Sequence, residues 1–113
     1  MANPEMPACM NETRTEMTWE ADLVFAATAP YFQGHFPDCP VLPGVVQLGV
    51  ARAYAAAWLG VDIELTSVKK MKFTRVVVPG MRVHLALARH GLNEVVYEFR
   101  KEADVCASGV LCF

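Results

Sequence analysis

The sequence predicts an α+β domain in which an antiparallel sheet wraps one long central helix. Two observations carry the prediction. From Val45 to Leu59 nearly every side chain is apolar (Val45, Val46, Leu48, Val50, Ala51, Ala53, Tyr54, Ala55, Ala56, Ala57, Trp58, Leu59). A helix with no polar face has to be buried on every side, and a curved sheet is what satisfies that. The second half supplies the sheet. Between Arg82 and Arg89, Val83, Leu85 and Leu87 alternate with Arg82, His84 and Ala86, the period of a half-buried strand. A helix followed by a run of strands is an α+β arrangement.

At 113 residues the chain is sized for one domain, and 54% apolar residues is rich for that size. The excess points to a buried helix, an oligomeric interface, or both. A formal net charge of −2 argues against a nucleic-acid binder. The amino terminus has no basic segment followed by an apolar one, and the Val45–Leu59 run is short for a membrane span and carries Gln47 and Arg52. The expectation is a cytoplasmic protein with no membrane span. Cys9, Cys39, Cys106 and Cys112 form no Cys-x-x-Cys pair and no zinc spacing with histidine, so reduced thiols and no metal are expected.

Residues 1–14 lack apolar periodicity and read as a disordered terminus, leaving 15–113 as the single domain. A strand is expected around Met17 to Ala27, ended by Ala29-Pro30. Pro43 suits the first position of the helix, and Gly60 stops it. Further strands are expected over Glu64–Val78, closed by Pro79-Gly80, then Arg82–Arg89, Glu94–Lys101 and Val105–Phe113. The His90-Gly91-Leu92-Asn93 turn separates the second of these from the third.

Between the first strand and the helix runs Gly34-His35-Phe36-Pro37-Asp38-Cys39-Pro40-Val41-Leu42-Pro43-Gly44-Val45. Prolines at 37, 40 and 43 fix φ near −65° and remove backbone donors, so the loop is rigid. An imidazole held on it, just ahead of a helix N-terminus, is suited to general-base chemistry. This segment resembles the active-site motif of the hotdog-fold 3-hydroxyacyl-ACP dehydratases, and Gln47 after it resembles the branch associated with aryl-polyene biosynthesis. Lys72-Phe73 with Val78-Pro79-Gly80 resembles a second family segment. The resemblance covers about Trp19 to Phe113. It implies a hotdog fold that pairs into dimers with a continuous sheet, as a homodimer or as a heterodimer with another hotdog chain.

The resemblance also implies the chemistry: a lyase acting on 3-hydroxyacyl thioesters. His35 matches the residue that takes the proton from C2. Gly44 matches the glycine whose N–H polarises the thioester carbonyl, a donor typically worth about 3–4 kcal/mol in the transition state. The substrate is carried on the phosphopantetheine of ACP or CoA, and no cofactor belongs to the protein itself. The departure comes fourteen residues after His35, where relatives carry Glu or Asp on the helix and this chain has Gly49; Ala53 replaces the glutamine that often follows. Three readings stay open: an enzyme with its acid elsewhere, Asp38 being nearest or His35 returning the proton; a degenerate subunit that lends His35 to a site completed by another hotdog chain; or a thioesterase or acyl-thioester binder.

The remaining candidates are weaker. Lys69, Lys70, Lys72 and Arg75 form the one basic cluster, able to dock a phosphate-bearing, acidic carrier or to be an ordinary solvated strand face. Cys39 reads as a small loop filler rather than a nucleophile. His84 and His90 read as structural or exposed, and Tyr54 and Trp58 as packing residues.

Overall fold

The computed structural model describes residues 6–26, 42–60, 65–78 and 80–113. Strands β1 (Ala8–Arg14) and β2 (Thr18–Val24) precede the helix α1 (Gly44–Leu59), and β3 (Ser67–Phe73), β4 (Arg82–His90), β5 (Glu94–Lys101) and β6 (Asp104–Cys112) follow it. The six strands form one antiparallel sheet in the order β1-β2-β4-β5-β6-β3. Alternation puts Trp19, Ala21 and Leu23, then Val83, Leu85 and Leu87, then Val95, Tyr97 and Phe99 into the core. Helix α1 lays Gln47, Val50, Ala51, Ala55 and Trp58 against them. The α+β hotdog architecture is the one the sequence predicts. Among the described residues, no helix is long and apolar enough to cross a membrane.

Three expectations need correction. The disordered terminus expected over 1–14 is, from Ala8 onward, the edge strand β1. Polar side chains hold it, which is why hydrophobic periodicity does not reveal it. Asn11 Nδ2 donates to Asp22 Oδ2 at 2.9 Å, and the indole N–H of buried Trp19 donates to Glu12 Oε2 at 2.7 Å. The helix is also not covered all round. The sheet takes one side, while Val45 is 71% exposed, Ala57 is exposed, and Gly49, Arg52, Ala53 and Ala56 are only half-buried.

The helix boundaries have plain causes. Pro43, extended at φ −60° and ψ 143°, is the N-cap rather than the first helical residue, and it offers no side-chain oxygen to the first turn. Gly60 closes the other end in the left-handed region at φ 73°, its N–H donating to Ala56 O at 3.1 Å.

On the outer face of the sheet the β2–β4 register sets Asp22 opposite His84. His84 Nδ1 lies 3.0 Å from Asp22 Oδ1 and its Nε2 lies 2.9 Å from Glu20 Oε1. Burial alone would lower the imidazole pKa, but the two carboxylates outweigh it and raise it. Asp22 is lowered, first by the Asn11 hydrogen bond and then by His84. A histidine raised on folding stabilises fully below its unfolded value, about 6.5, and loses that contribution as pH rises through the folded value. The lowered aspartate contributes above its unfolded value, about 3.9, and loses it as pH falls. The cluster should therefore support the fold best between about pH 4 and 6.5. Thermal melts at pH 6 and pH 9 should show His84→Gln flattening the decline in Tm. The effect is small, below about 1 kcal/mol, because the pair is partly solvated. An unchanged pH dependence in that variant would show that the cluster does not contribute.

Candidate functional site

The groove that concerns function lies at the N-terminus of α1. It is an open hollow of about 430 Å³ lined by Leu42, Gly44, Gln47, Phe73, Thr74, Arg75 and Val76. Three features of the chain build it. Pro43 leaves the first turn without a side-chain cap, and Val46 and Gln47 N–H both return to Pro43 O at 3.0 and 3.1 Å. Among the described residues, the N–H groups of Gly44 and Val45 are left without an acceptor, at the positive end of the helix dipole. Leu42 is pinned to the sheet by its N–H, which donates to Val77 O at 2.7 Å.

A bulge in β3 supplies the opposite wall. Val68 pairs with Leu111 and Phe73 with Ala107, both facing the helix although they are an odd number of residues apart. The register slips between Lys69 and Lys72, where Lys70 takes φ 53°, and the slip returns Phe73 to the inner face. Its ring then lies so close over Gly44 that a Cβ built there would sit 2.7 Å from Cζ. Glycine at 44 thus leaves room for the Phe73 ring as well as opening onto the backbone.

Gln47 is the one buried polar side chain among the described residues, 3% exposed. Its Nε2 donates to Leu42 O at 3.1 Å, which fixes the orientation of the amide, since the reversed amide would set two carbonyl oxygens together. Among the described residues its Oε1 is buried with no partner. Such a group costs about 1–3 kcal/mol, and this one belongs to a residue that lines the groove.

Of the residues singled out from sequence, Gly44 is in the groove; His35 and Asp38 lie outside the described residues, as does Cys39. Gly49 stands on the helix side turned away from the sheet, roughly 200° round from Gln47 at the usual 100° per residue. The basic cluster is divided. Lys69 is paired with Glu94 at 2.8 Å and Arg75 with Asp104 at 3.5 Å, while Lys70 and Lys72 are exposed on edge strand β3 without an ion pair among the described residues. Arg75 alone of the four lines the groove. A second hollow of about 520 Å³ lies at the other end of α1, lined in part by Arg14, Trp58 and Arg89. Its arginines are committed to the helix end: Arg14 donates to Trp58 O at 3.1 Å, and the Arg89 guanidinium lies 5.5 Å from the Trp58 ring centroid. Tyr54 stacks on Trp19 with centroids 4.7 Å apart, so the helix aromatics pack as expected.

Residues 11–110 match the family described as ApeI-like, the ApeI dehydratase family. The chain is 32% identical over 97 residues to the 3-hydroxyacyl-[acyl-carrier-protein] dehydratase FabZ of Cupriavidus metallidurans, covering 74% of this chain and 65% of that protein. It is 39% identical over 85 residues to the FabZ of Erythrobacter litoralis, covering 66% and 56%. The chain thus spans somewhat less than two thirds of the length of these curated relatives. Its fold is similar to that of a chain in the dehydratase heterocomplex ApeI:P from Xenorhabdus doucetiae, with TM-score 0.88 and 22% identity over 96% of this chain and 97% of that one. It also resembles the E. coli PaaI protein from the phenylacetic acid degradation operon, with TM-score 0.62 and 15% identity over 91% and 78%. An uncapped helix laid against a six-stranded antiparallel sheet and a family match over residues 11–110 agree: this protein belongs to the hotdog-fold 3-hydroxyacyl-ACP dehydratases, in their ApeI-like branch.

Proposed function

We propose that the chain acts on 3-hydroxyacyl thioesters carried on the phosphopantetheine of ACP or CoA, as a hydro-lyase with no cofactor of its own. The observation that carries this reading is the uncapped helix N-terminus at Gly44, opening onto a groove in a chain of the dehydratase family. The Gly44 N–H meets the thioester oxygen and holds the charge that develops there. His35 removes a proton from C2, the C2–C3 double bond forms as the C3–O bond breaks, and the hydroxyl leaves as water. With Gly49 in place of the acid, the proton the hydroxyl needs comes back from the His35 imidazolium or from Asp38.

The open side of α1 and the exposed edge of β3 favour assembly with a second hotdog chain. Val45 and Ala57 are exposed there, and Met71 and Phe73 lie on a strand edge unpaired among the described residues, apolar surface that a second chain would cover. Gly49 faces the same side, so a partner could supply the missing acid. Of the basic cluster Lys69, Lys70, Lys72 and Arg75, the exposed Lys70 and Lys72 and the groove-lining Arg75 support docking of an acidic carrier.

The test is turnover of a 3-hydroxyacyl thioester by the purified chain beside Gly49→Glu, Gly49→Asp and His35→Ala. Slow turnover that rises about tenfold or more with either acid and disappears in His35→Ala is the expected result, positioned acids being typically worth 10²–10⁴-fold. A parent without activity and no gain in either variant would rule out a self-sufficient dehydratase and leave the partner-subunit reading. Activity of the isolated chain that depends on His35 would remove the latter.

A further inference from the structure

We propose that Gln47 reads the 3-hydroxyl of the substrate: its Oε1 accepts the hydroxyl hydrogen and sets the C3–O bond for elimination. The inference rests on the acyl-thioester reading above and assigns a positioning role that the family motif, with its helix acid replaced by Gly49, leaves empty. Its starting point is the Oε1, unpartnered among the described residues, of a side chain only 3% exposed that lines the groove Gly44 opens. The Nε2–Leu42 O bond leaves the carbonyl oxygen, not the amide nitrogen, as the end without a partner among the described residues. That oxygen is an acceptor only, so the missing partner must be a donor. Near its reacting carbons a 3-hydroxyacyl thioester offers one donor, the hydroxyl; the thioester oxygen and sulfur offer none.

The spacing agrees. Gln47 follows Gly44 by three residues, so both line the same side of the first turn, about 5 Å apart along the axis. A thioester oxygen at the Gly44 N–H therefore leaves the C3 substituent pointing one turn further along the groove, toward the Gln47 amide. A carboxamide does not donate a proton to the leaving group, so the role is orientation and selection. The proton still comes from His35 or its substitute.

The experiment measures calorimetric binding of three pantetheine thioesters of equal chain length to the full chain: 3-hydroxyacyl, 3-fluoroacyl and unsubstituted acyl. The wild-type protein should bind the hydroxyacyl form about tenfold more tightly than the other two, the scale of one well-made hydrogen bond. Gln47→Met, which keeps the length and loses the acceptor, should bind all three alike, at the level the wild type shows for the unsubstituted acyl form. Equal binding of the three by the wild type overturns the proposal, and so does a Gln47→Met that keeps the hydroxyl preference. A Gln47→Met that weakens all three equally shows that the amide only props the Leu42 segment, and that also overturns it. The wild-type series needs no variant, so the proposal is testable even if Gln47→Met fails to fold. Binding of the unsubstituted thioester without hydroxyl preference sinks this inference alone; no binding of any thioester sinks the acyl-thioester reading with it.

Discussion

Gly44→Ala should lower turnover of a 3-hydroxyacyl thioester about 10²-fold while leaving the fold nearly as stable as before. The added methyl would sit 2.7, 3.0 and 3.2 Å from Cζ, Cε1 and Cε2 of Phe73. Those atoms are the far end of a side chain that is 47% exposed, so the ring swings aside instead of straining the core. It swings at the mouth of the groove formed with Leu42, Gln47 and Val76. The methyl itself also projects where a thioester oxygen must come close to the backbone N–H. Steady-state kinetics and melting of Gly44→Ala, Phe73→Ala and the double variant separate these effects. Phe73→Ala should restore part of the lost rate in the Gly44→Ala background, by removing the ring from the groove. What stays lost is the obstruction of the N–H. Wild-type turnover in Gly44→Ala would overturn the assignment of Gly44 as the carbonyl-polarising residue.

A glycine opening the helix was legible in the sequence; that Phe73 fills the space above it was not. The helix announced itself because Val45 to Leu59 is long and apolar, and β4 because Val83, Leu85 and Leu87 keep the period of two. Hydrophobic patterning reports which residues are inside, and so it located the core well. It is silent about register. The slip between Lys69 and Lys72 decides that Phe73 faces the helix, and Lys-Lys-Met-Lys carries no turn residue to announce a bulge. The same blindness hid the pairing of His84 with Glu20 and Asp22, which depends on β2 and β4 meeting in one alignment. It also hid β1, whose attachment is polar and whose strand is broken by a shift between Met10 and Thr13. Gln47 stood out from sequence as a branch marker. Only the structure shows one end of its amide bonded and the other buried without a partner among the described residues.

Gly109→Ala should destabilise the protein by about 3 kcal/mol, the upper part of the range for overpacking a core. Gly109 lies opposite Tyr97 in the β5–β6 ladder, and a Cβ there would meet Tyr97 Cε1 at 2.7 Å, its hydroxyl oxygen at 2.8 Å and Cζ at 2.9 Å. In contrast to Phe73, Tyr97 is completely buried, edge-on to Phe99 at 6.3 Å between centroids, and has no solvent to move into. The same substitution that at position 44 displaces a free ring must here deform the sheet or the helix above it. A fall in Tm of about 10–20 °C is expected for a domain of this size. Tyr97→Leu in the Gly109→Ala background should recover about 1–2 kcal/mol beyond additivity, because the two groups occupy one space. Tyr97→Phe separates the ring from its hydroxyl. Among the described residues the Tyr97 oxygen is buried without a partner, and burial pushes its pKa up, so removing it should leave Tm unchanged or raise it by a few degrees. A Tm that falls clearly in Tyr97→Phe would mean that the hydroxyl is satisfied within the core, and that Gly109 is kept small to let that partner approach rather than to seat the ring.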